Sequence, residues 1–387
     1  SNLPLAQASG MGLNAFFVYT VCFTFGLSYA NALVLVLVDG IVFVLLTVTG
    51  LRKMIFDAIP AAVKTAISAG IGLFIAFIGL QNAKIVVGGA TLVEFFSLDA
   101  VEGGTMNDVG ITVFLAIVGV FITSILVIKN VKGNILWGIL ATWILGIICQ
   151  FAGIYVPNPD LGYYNLLPDF SAGISIPSLA PIFCKLDFTA IPLSQFVVIV
   201  FAFLFVDMFD TLGTLIGVAS KADMLDKDGK LPNIKGALLA DAVGTTAGAL
   251  LGTSTTTTFV ESASGVTEGG RTGLTSMTTA ILFALALLLS PIFLAIPSFA
   301  TAPALIVVGF YMVNQVGMID FTDFAEGIPA FICMAAMPFF YSISEGISMG
   351  VISYVVLNVA TGKAKEKKIS IVMYILAVLF LAKYFFI

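Results

Sequence analysis

Three carboxylates set in apolar sequence carry the chemistry of this chain. Asp207 and Asp210 stand three residues apart in "FAFLFVDMFDTLGTLIGVASKAD" (201–223). Glu261 follows the hydroxyl run Ser254 to Thr258 in "TSTTTTFVESASGVTEGGRTG" (253–273). The aspartate spacing puts both groups on one face of a helix. Thr211 and Thr214 extend that face, and Gly213 and Gly217 leave room for another helix to approach. An ionised aspartate within a membrane span costs about 2.5 to 3.5 kcal/mol on insertion scales. Such a group is protonated, paired with a cation, or placed on a water-filled path. The pair is therefore a candidate proton carrier, with polar glue between helices as its structural alternative. Glu261 sits near the start of a short segment of small residues. Hydroxyls and free backbone N–H groups at such a start can hold a polar, planar or anionic group. A polar re-entrant turn without a ligand is the alternative there.

Five other polar positions lie in or beside apolar segments. Asp39 and Asp241 each read as a lone acid, for which structural hydrogen bonding is the first expectation. Glu268 and Arg271, three apart, are expected to form a structural ion pair or a gate. Asn14 offers two donors and an acceptor in one side chain. The chain contains no histidine, which excludes histidine acid–base chemistry and most zinc sites. Cys22, Cys149, Cys184 and Cys333 form no CxxC pair and are expected as inert buried or lipid-facing thiols. No metal and no cofactor are expected. No basic run interleaved with aromatics suggests nucleic acid.

The elements that must position these groups are membrane helices. Of 387 residues 59% are hydrophobic and only 10% charged, and the mean hydropathy is +1.11, values foreign to a soluble domain. The apolar pattern predicts segments at 11–28, 31–50, 61–80, 110–128, 134–153, 193–219, 234–252, a short one at 260–270, then 273–296, 300–317, 327–342, 344–360 and 369–386. Alternating them from the first places fourteen of the seventeen Lys and Arg, Arg52 among them, on one side. Only Lys84 and Lys185 fall on the other, and Lys383 lies inside the last segment. The basic side is expected to be cytoplasmic, with "GKAKEKK" (362–368) as a juxtamembrane anchor at the lipid bilayer. "ASGMGLNAFFVYT" (8–20) and "TFVESASGVTEGG" (258–270) echo each other weakly and cross in opposite directions. Paired, glycine-interrupted short segments of this kind point to an inverted-repeat transporter with its site between broken helices. Irregular backbone at membrane depth is tolerated only where protein buries it or water reaches it.

Three stretches carry a more specific signal: "GMGLNAFF" (10–17), the long block 205–276, and "YSISEGISMGVISYVVL" (341–357). They closely resemble the AzgA-like purine permeases, the hypoxanthine, guanine and adenine branch of the second nucleobase–cation symporter family. The resemblance runs over essentially the whole chain. It implies an all-α polytopic membrane protein of two inverted seven-helix repeats, with a core domain that holds substrate and moves against a gate domain. On this likeness the core takes residues 1–50 and 193–296, and the gate takes 51–153 and 297–360. An extracytoplasmic loop spans 154–192, and a cytoplasmic linker with a C-terminal apolar helix spans 361–387. The implied activity is proton-coupled purine uptake, with a homodimer formed through the gate domain. Gly12 and Asn14 match the family's third span at the purine. Asp207 matches the substrate-binding acid of the eighth span, with Asp210 one turn on. Glu261 matches the acid of the tenth span that grips the base, and Phe259 lies where side chain or backbone abuts the ring. Two departures stand out. Ala8-Ser9-Gly10 replaces the family's Ala-Pro-Gly, and the family's first two spans have no counterpart here. Together with the initial Ser1, this leads us to expect an N-terminally truncated chain that transports poorly by itself. The last segment exceeds the family's repeat count, as an extra span or an interfacial helix.

Other functions remain to be weighed. The same architecture could carry another nucleobase (xanthine, urate, uracil) or an anion, or act as a uniporter; an acidic site disfavours an anion. An intramembrane aspartyl protease needs two acids on facing helices. Asp207 and Asp210 share one helix, so a transporter rather than an enzyme is expected. Without histidine, a coupling proton must ride mainly on Asp207, Asp210 and Glu261.

Overall fold

Long apolar runs become helices in a bilayer because the backbone must satisfy its own hydrogen bonds. The computed structural model describes the chain except residues 11, 12, 15, 91, 99–102, 172–177, 190, 228, 229, 260 and 387. Among the described residues eight helical stretches are long and apolar enough to cross a membrane. They contain α1 (Tyr29–Val48), α3 (Ala61–Asn82), α4 (Ile111–Ile128), α5 (Asn134–Phe151), α6 (Leu193–Lys221), α7 (Ile234–Leu251), α11 (Ser298–Val313) and α13 (Ile343–Ala360). Shorter helices are α2 (Leu51–Ala58), α8 (Ser262–Thr267), α9 (Gly273–Leu288), α10 (Ser290–Ala295), α12 (Phe324–Phe339) and α14 (Ile371–Phe386). The segment expected at 273–296 is two helices, α9 and α10. The break falls at Leu289, just before Pro291 in the first turn of α10, where a residue without an N–H belongs. The connection after α1, expected as loop, forms α2.

The chain divides into two compact units. The first holds Ser1–Ile71, Ser178–Met277 and Met312–Ile387; the second holds Gly72–Pro177 and Thr278–Tyr311. In the second unit α4 and α5 interlock through small residues. A Cβ on Gly119 would come within 2.5 Å of Thr142 Oγ1, and one on Gly138 within 2.2 Å of Thr123 Oγ1. Each threonine hydroxyl donates to the glycine carbonyl four residues earlier on its own helix, at 2.8 Å, so none is left unpaired at the seam.

The first unit holds the polar positions singled out above. Its first segment is irregular: residues Phe16–Thr24 are π-helical, and the chain breaks at Gly26, whose φ of +70° suits a glycine. Leu13, Phe17 and Val21 of this segment bury against Leu33 and Leu35 of α1 and Ile199 and Phe203 of α6. α1 and α7 touch at Gly40, where a Cβ would lie 2.7 Å from the backbone nitrogen of Thr246. Two short strands join the halves of the sequence: β1 (Gln7–Ser9) pairs antiparallel with β4 (Thr256–Thr258), in register Gln7 to Thr258, Ala8 to Thr257 and Ser9 to Thr256. A separate hairpin, β2 (Val86–Gly89) with β3 (Leu92–Phe95), belongs to the second unit.

Candidate functional site

The hydroxyl run that looks out of place in an apolar chain is the second strand of this crossing. Ser254, Thr255, Thr257 and Thr258 are buried between β1 and α7. Thr245 of α7 donates to the Thr256 carbonyl at 2.7 Å, and Gln7 Nε2 donates to Thr258 Oγ1 at 3.1 Å. Extended backbone cannot satisfy itself as a helix does, so at membrane depth each short strand needs the other. The two segments that echo each other in sequence are thus bound to one another by backbone and hydroxyl hydrogen bonds.

Asn14 and Glu261 lie just beyond the two strands. The Asn14 amide oxygen accepts from Ser9 Oγ at 2.6 Å and from Ser254 Oγ, one serine from each half. Its amide N–H groups donate to no described residue, and the side chain is exposed. Glu261 is the N-cap of α8, yet its carboxylate makes no cap hydrogen bond. Its Oε2 is buried and meets no donor among the described residues. The backbone N–H of Phe259 is taken by the Ala6 carbonyl at 2.8 Å, which leaves the half-buried ring as what Phe259 can offer a ligand. Gly12 lies outside the described residues.

Asp207 and Asp210 diverge. Asp207 is fully buried, with Thr211 Oγ1 at 3.4 Å from its Oδ1 and no donor to its Oδ2 among the described residues. Asp210 instead accepts the backbone N–H of Ser344, at the start of α13, at 3.1 Å. Its other near charges are Lys383 of α14 and Glu345 of α13, which pair with each other. Gly213 meets Ile343 and Ile347 of α13, and Gly217 meets Ile71 and Met312, so both glycines admit close neighbours as their type suggests. One helical face was expected to present both acids; the neighbours that surround α6 sort them into two environments.

Asp39 and Asp241 are not lone acids. Asp241 forms a salt bridge with Arg52 at 2.7 Å, both side chains fully buried, and takes the Thr211 hydroxyl at 3.0 Å. The backbone N–H of Thr258 in β4 faces the same carboxylate. Asp39 faces Asp207, with Asp241 and Arg52 nearby, and neither of its own oxygens has a donor among the described residues. Arg52 was counted with the charges of the basic side, expected to be cytoplasmic. It reaches inward, over the Phe43 ring at 4.2 Å, and donates to the Leu238 carbonyl at 3.2 Å. Depth is the signal that could have found it. Asp241 lies seven residues into α7, about 10 Å from that helix's basic end, within reach of an arginine just past the basic end of α1.

Arg271 gives its guanidinium to the carbonyls of Val266 and Gly270, at 2.6 and 2.8 Å, and so closes the C-terminal end of α8. A cavity of about 290 Å³ lies in the second unit, lined by Lys84, Tyr155, Tyr163, Tyr164 and their neighbours without any carboxylate. It shares no residue with the acidic groups of the first unit. Among the described residues no set of carboxylates and cysteines is grouped to hold a metal ion.

Buried acids beside two broken segments from opposite halves of a helical membrane chain describe a carrier, and comparison with known proteins agrees. Residues 1–349 match the model of the Permease family. The chain belongs to that family. A putative permease of Methanocaldococcus jannaschii is 46% identical over 98% of this chain and 82% of its own length. The guanine/hypoxanthine permease PbuG of Bacillus subtilis is 42% identical over 99% of the chain and 82% of its own length. The adenine permease AdeQ of Escherichia coli is 36% identical over 99% and 80%. The resemblance to AzgA-like permeases therefore holds across the whole chain. Among solved structures, the transmembrane domain of the cyanobacterial bicarbonate transporter BicA aligns over 93% of this chain and 85% of that one, with TM-score 0.53 at 15% identity. At that identity the likeness is one of fold: an all-α membrane domain of inverted repeats. This member of the Permease family is a multi-pass cell-membrane transporter and not an enzyme.

Proposed function

We propose that this permease takes up purine nucleobases (hypoxanthine, guanine or adenine) by alternating access, driven by protons. The observation that carries the reading is Glu261: a buried carboxylate oxygen without a donor among the described residues, at the end of a strand crossing that also holds Asn14. A hypoxanthine or guanine edge presents ring N–H donors beside a carbonyl acceptor. An acceptor-only carboxylate suits the former, and the Asn14 amide N–H groups suit the latter. Asp207 and Gly12 complete the proposed site, with the Phe259 ring against the base. Asp207, Asp210 and Glu261 carry the coupling protons. The similarity to the guanine/hypoxanthine permease PbuG and the adenine permease AdeQ supports this substrate class. Arg52, the guanidinium beside the aspartates, is committed to Asp241, which disfavours an anion as cargo. The test is binding and uptake of labelled hypoxanthine, guanine and adenine by the protein in proteoliposomes. Glu261→Gln is expected to weaken binding about 10- to 100-fold, the loss of a charge-assisted hydrogen bond. Unchanged affinity removes Glu261 from the site. Uptake that ignores both the pH gradient and a protonophore replaces the symporter with a uniporter, and preference for xanthine, urate or uracil replaces the hypoxanthine, guanine or adenine assignment.

A further inference from the structure

Asp39 is a buried acid that the proposed site does not use. It lies midway along α1, fully buried, and both its carboxyl oxygens lack a donor among the described residues. α1 packs against α7, α6, α2 and the π-helical first segment. From α7 it faces Asp241, from α6 Asp207, and from α2 Arg52; the first segment brings no Asp, Glu, Lys or Arg.

The charges around it can be assigned one by one. Arg52 is committed to Asp241 at 2.7 Å and to the Leu238 carbonyl, so that pair is neutral as it stands. Thr211 has a single hydroxyl proton. Its oxygen lies 3.0 Å from Asp241 and 3.4 Å from Asp207, so the shorter bond goes to Asp241. Among the described residues, Asp39 and Asp207 are left facing one another with no cation of their own and with Asp207 Oδ2 also unpartnered. Two ionised carboxylates cannot face each other in a dry interior without compensation. One proton between them resolves both problems: it removes a charge, and it creates the O–H donor that the orphaned oxygens lack.

We propose that Asp39 and Asp207 share the transported proton, with Asp39 as the residue that receives it from, and returns it to, the acid at the substrate site. This rests on the proton-coupled reading above. The proton comes from water on one side and returns to water on the other, and no other bond changes. With the pair protonated, Asp39 donates its O–H to Asp207, the cluster carries a single negative charge, and the Asp207 carboxylate keeps an oxygen free to accept a purine N–H. With the proton gone, two ionised carboxylates face one another, an arrangement that cannot close dry over the substrate. Proton and substrate thereby favour one another at Asp207, which is how the two become linked. Asp39 is a positioning residue here, acting through Asp207 and not on the base itself.

The experiment compares the unmodified protein with Asp39→Asn in proteoliposomes, using labelled hypoxanthine. An asparagine at 39 supplies a permanent N–H to Asp207 and so imitates the protonated pair. Asp39→Asn is expected to keep exchange of internal for external hypoxanthine while accumulation driven by a pH gradient falls about tenfold or more. The pH dependence of its uptake is expected to flatten. Equal loss of exchange and accumulation marks Asp39 as structural and overturns the proposal, as does an unaltered pH profile. If the unmodified protein itself shows no response to the pH gradient, the failure belongs to the symport reading. Infrared spectroscopy gives a second readout that needs no transport. At about pH 8, where exposed carboxylates are ionised, the unmodified protein is expected to show a protonated-carboxyl C=O band that Asp39→Asn weakens. Absence of the band in the unmodified protein overturns the proposal even if the variant does not fold.

Discussion

At the scale of single residues, what distinguishes the acids of this permease is who answers each of them. Asp241 has Arg52, Thr211 and the strand backbone; Asp210 has the start of α13; Asp39, Asp207 and Glu261 keep carboxyl oxygens with no protein donor among the described residues. Polar groups so placed are costly to keep and are where a ligand or a proton has most to gain. The Arg52–Asp241 pair is the fixed point of the cluster. Removing one partner leaves the other charge buried alone, which costs about 3 to 5 kcal/mol. Arg52→Met is therefore expected to lower the thermal stability of the detergent-solubilised protein sharply, and Arg52→Met with Asp241→Leu to recover most of it. A single variant as stable as the parent would mean that the pair contributes nothing.

At the scale of elements, the strand crossing and the last helix decide the form of the first unit. β1 and β4 place the two irregular segments side by side, and α6 packs against both β4 and α8. α14 could have been an interfacial helix apart from the bundle. Instead Phe380 packs between Phe205 and Phe209 of α6, with ring centroids 4.9 and 4.7 Å away. Lys383 and Tyr384 both bind Glu345 of α13. Phe380 is fully buried, so Phe380→Ala removes a large side chain and leaves a cavity, a change that costs about 3 to 5 kcal/mol. The expected outcome is a clear drop in Tm. A Tm within error of the parent's would show α14 to be peripheral.

At the scale of the whole molecule, the basic linker is tied to a helix start. Asp323 caps α12 by accepting from Ala325 at 3.0 Å, and Lys367 reaches both Asp323 and Glu326 at 2.6 Å, with Lys363 at 3.5 Å from Asp323. The hydrogen bond from Lys367, and then that from the Ala325 N–H, hold the Asp323 carboxyl below the ordinary carboxylate range. A lowered folded value stabilises the protein above the unfolded value of about 3.9 and ceases to do so as pH falls through the folded one. Asp323→Asn is therefore expected to lower Tm at neutral pH, with the difference closing as the pH drops below about 4. A difference that stays constant with pH would assign the effect to the cap alone. The two compact units each have their own core, one built on α1, α6 and the first segment, the other on α4, α5 and α11.

Membrane helices and their order were readable from the sequence, which also led us to expect a basic cytoplasmic side and to single out the acids within the spans. These depend on local quantities: the length of an apolar run, the count of lysines and arginines, and the expense of a carboxylate in hydrocarbon. Even the kinship of the two broken segments left a trace, because each must carry small and hydroxyl residues for its own backbone. What sequence spacing could not supply was partnership. Asp207 and Asp210 are neighbours on α6 and still face different helices. Asp39 and Asp241 are isolated by about two hundred residues and meet across α1 and α7, where Gly40 lets the backbones close. Arg52 counted only as one charge of the basic side until its partner's depth was known. Which groups share a proton or a charge depends on contacts between distant parts of the chain, and only the tertiary structure brings those parts together.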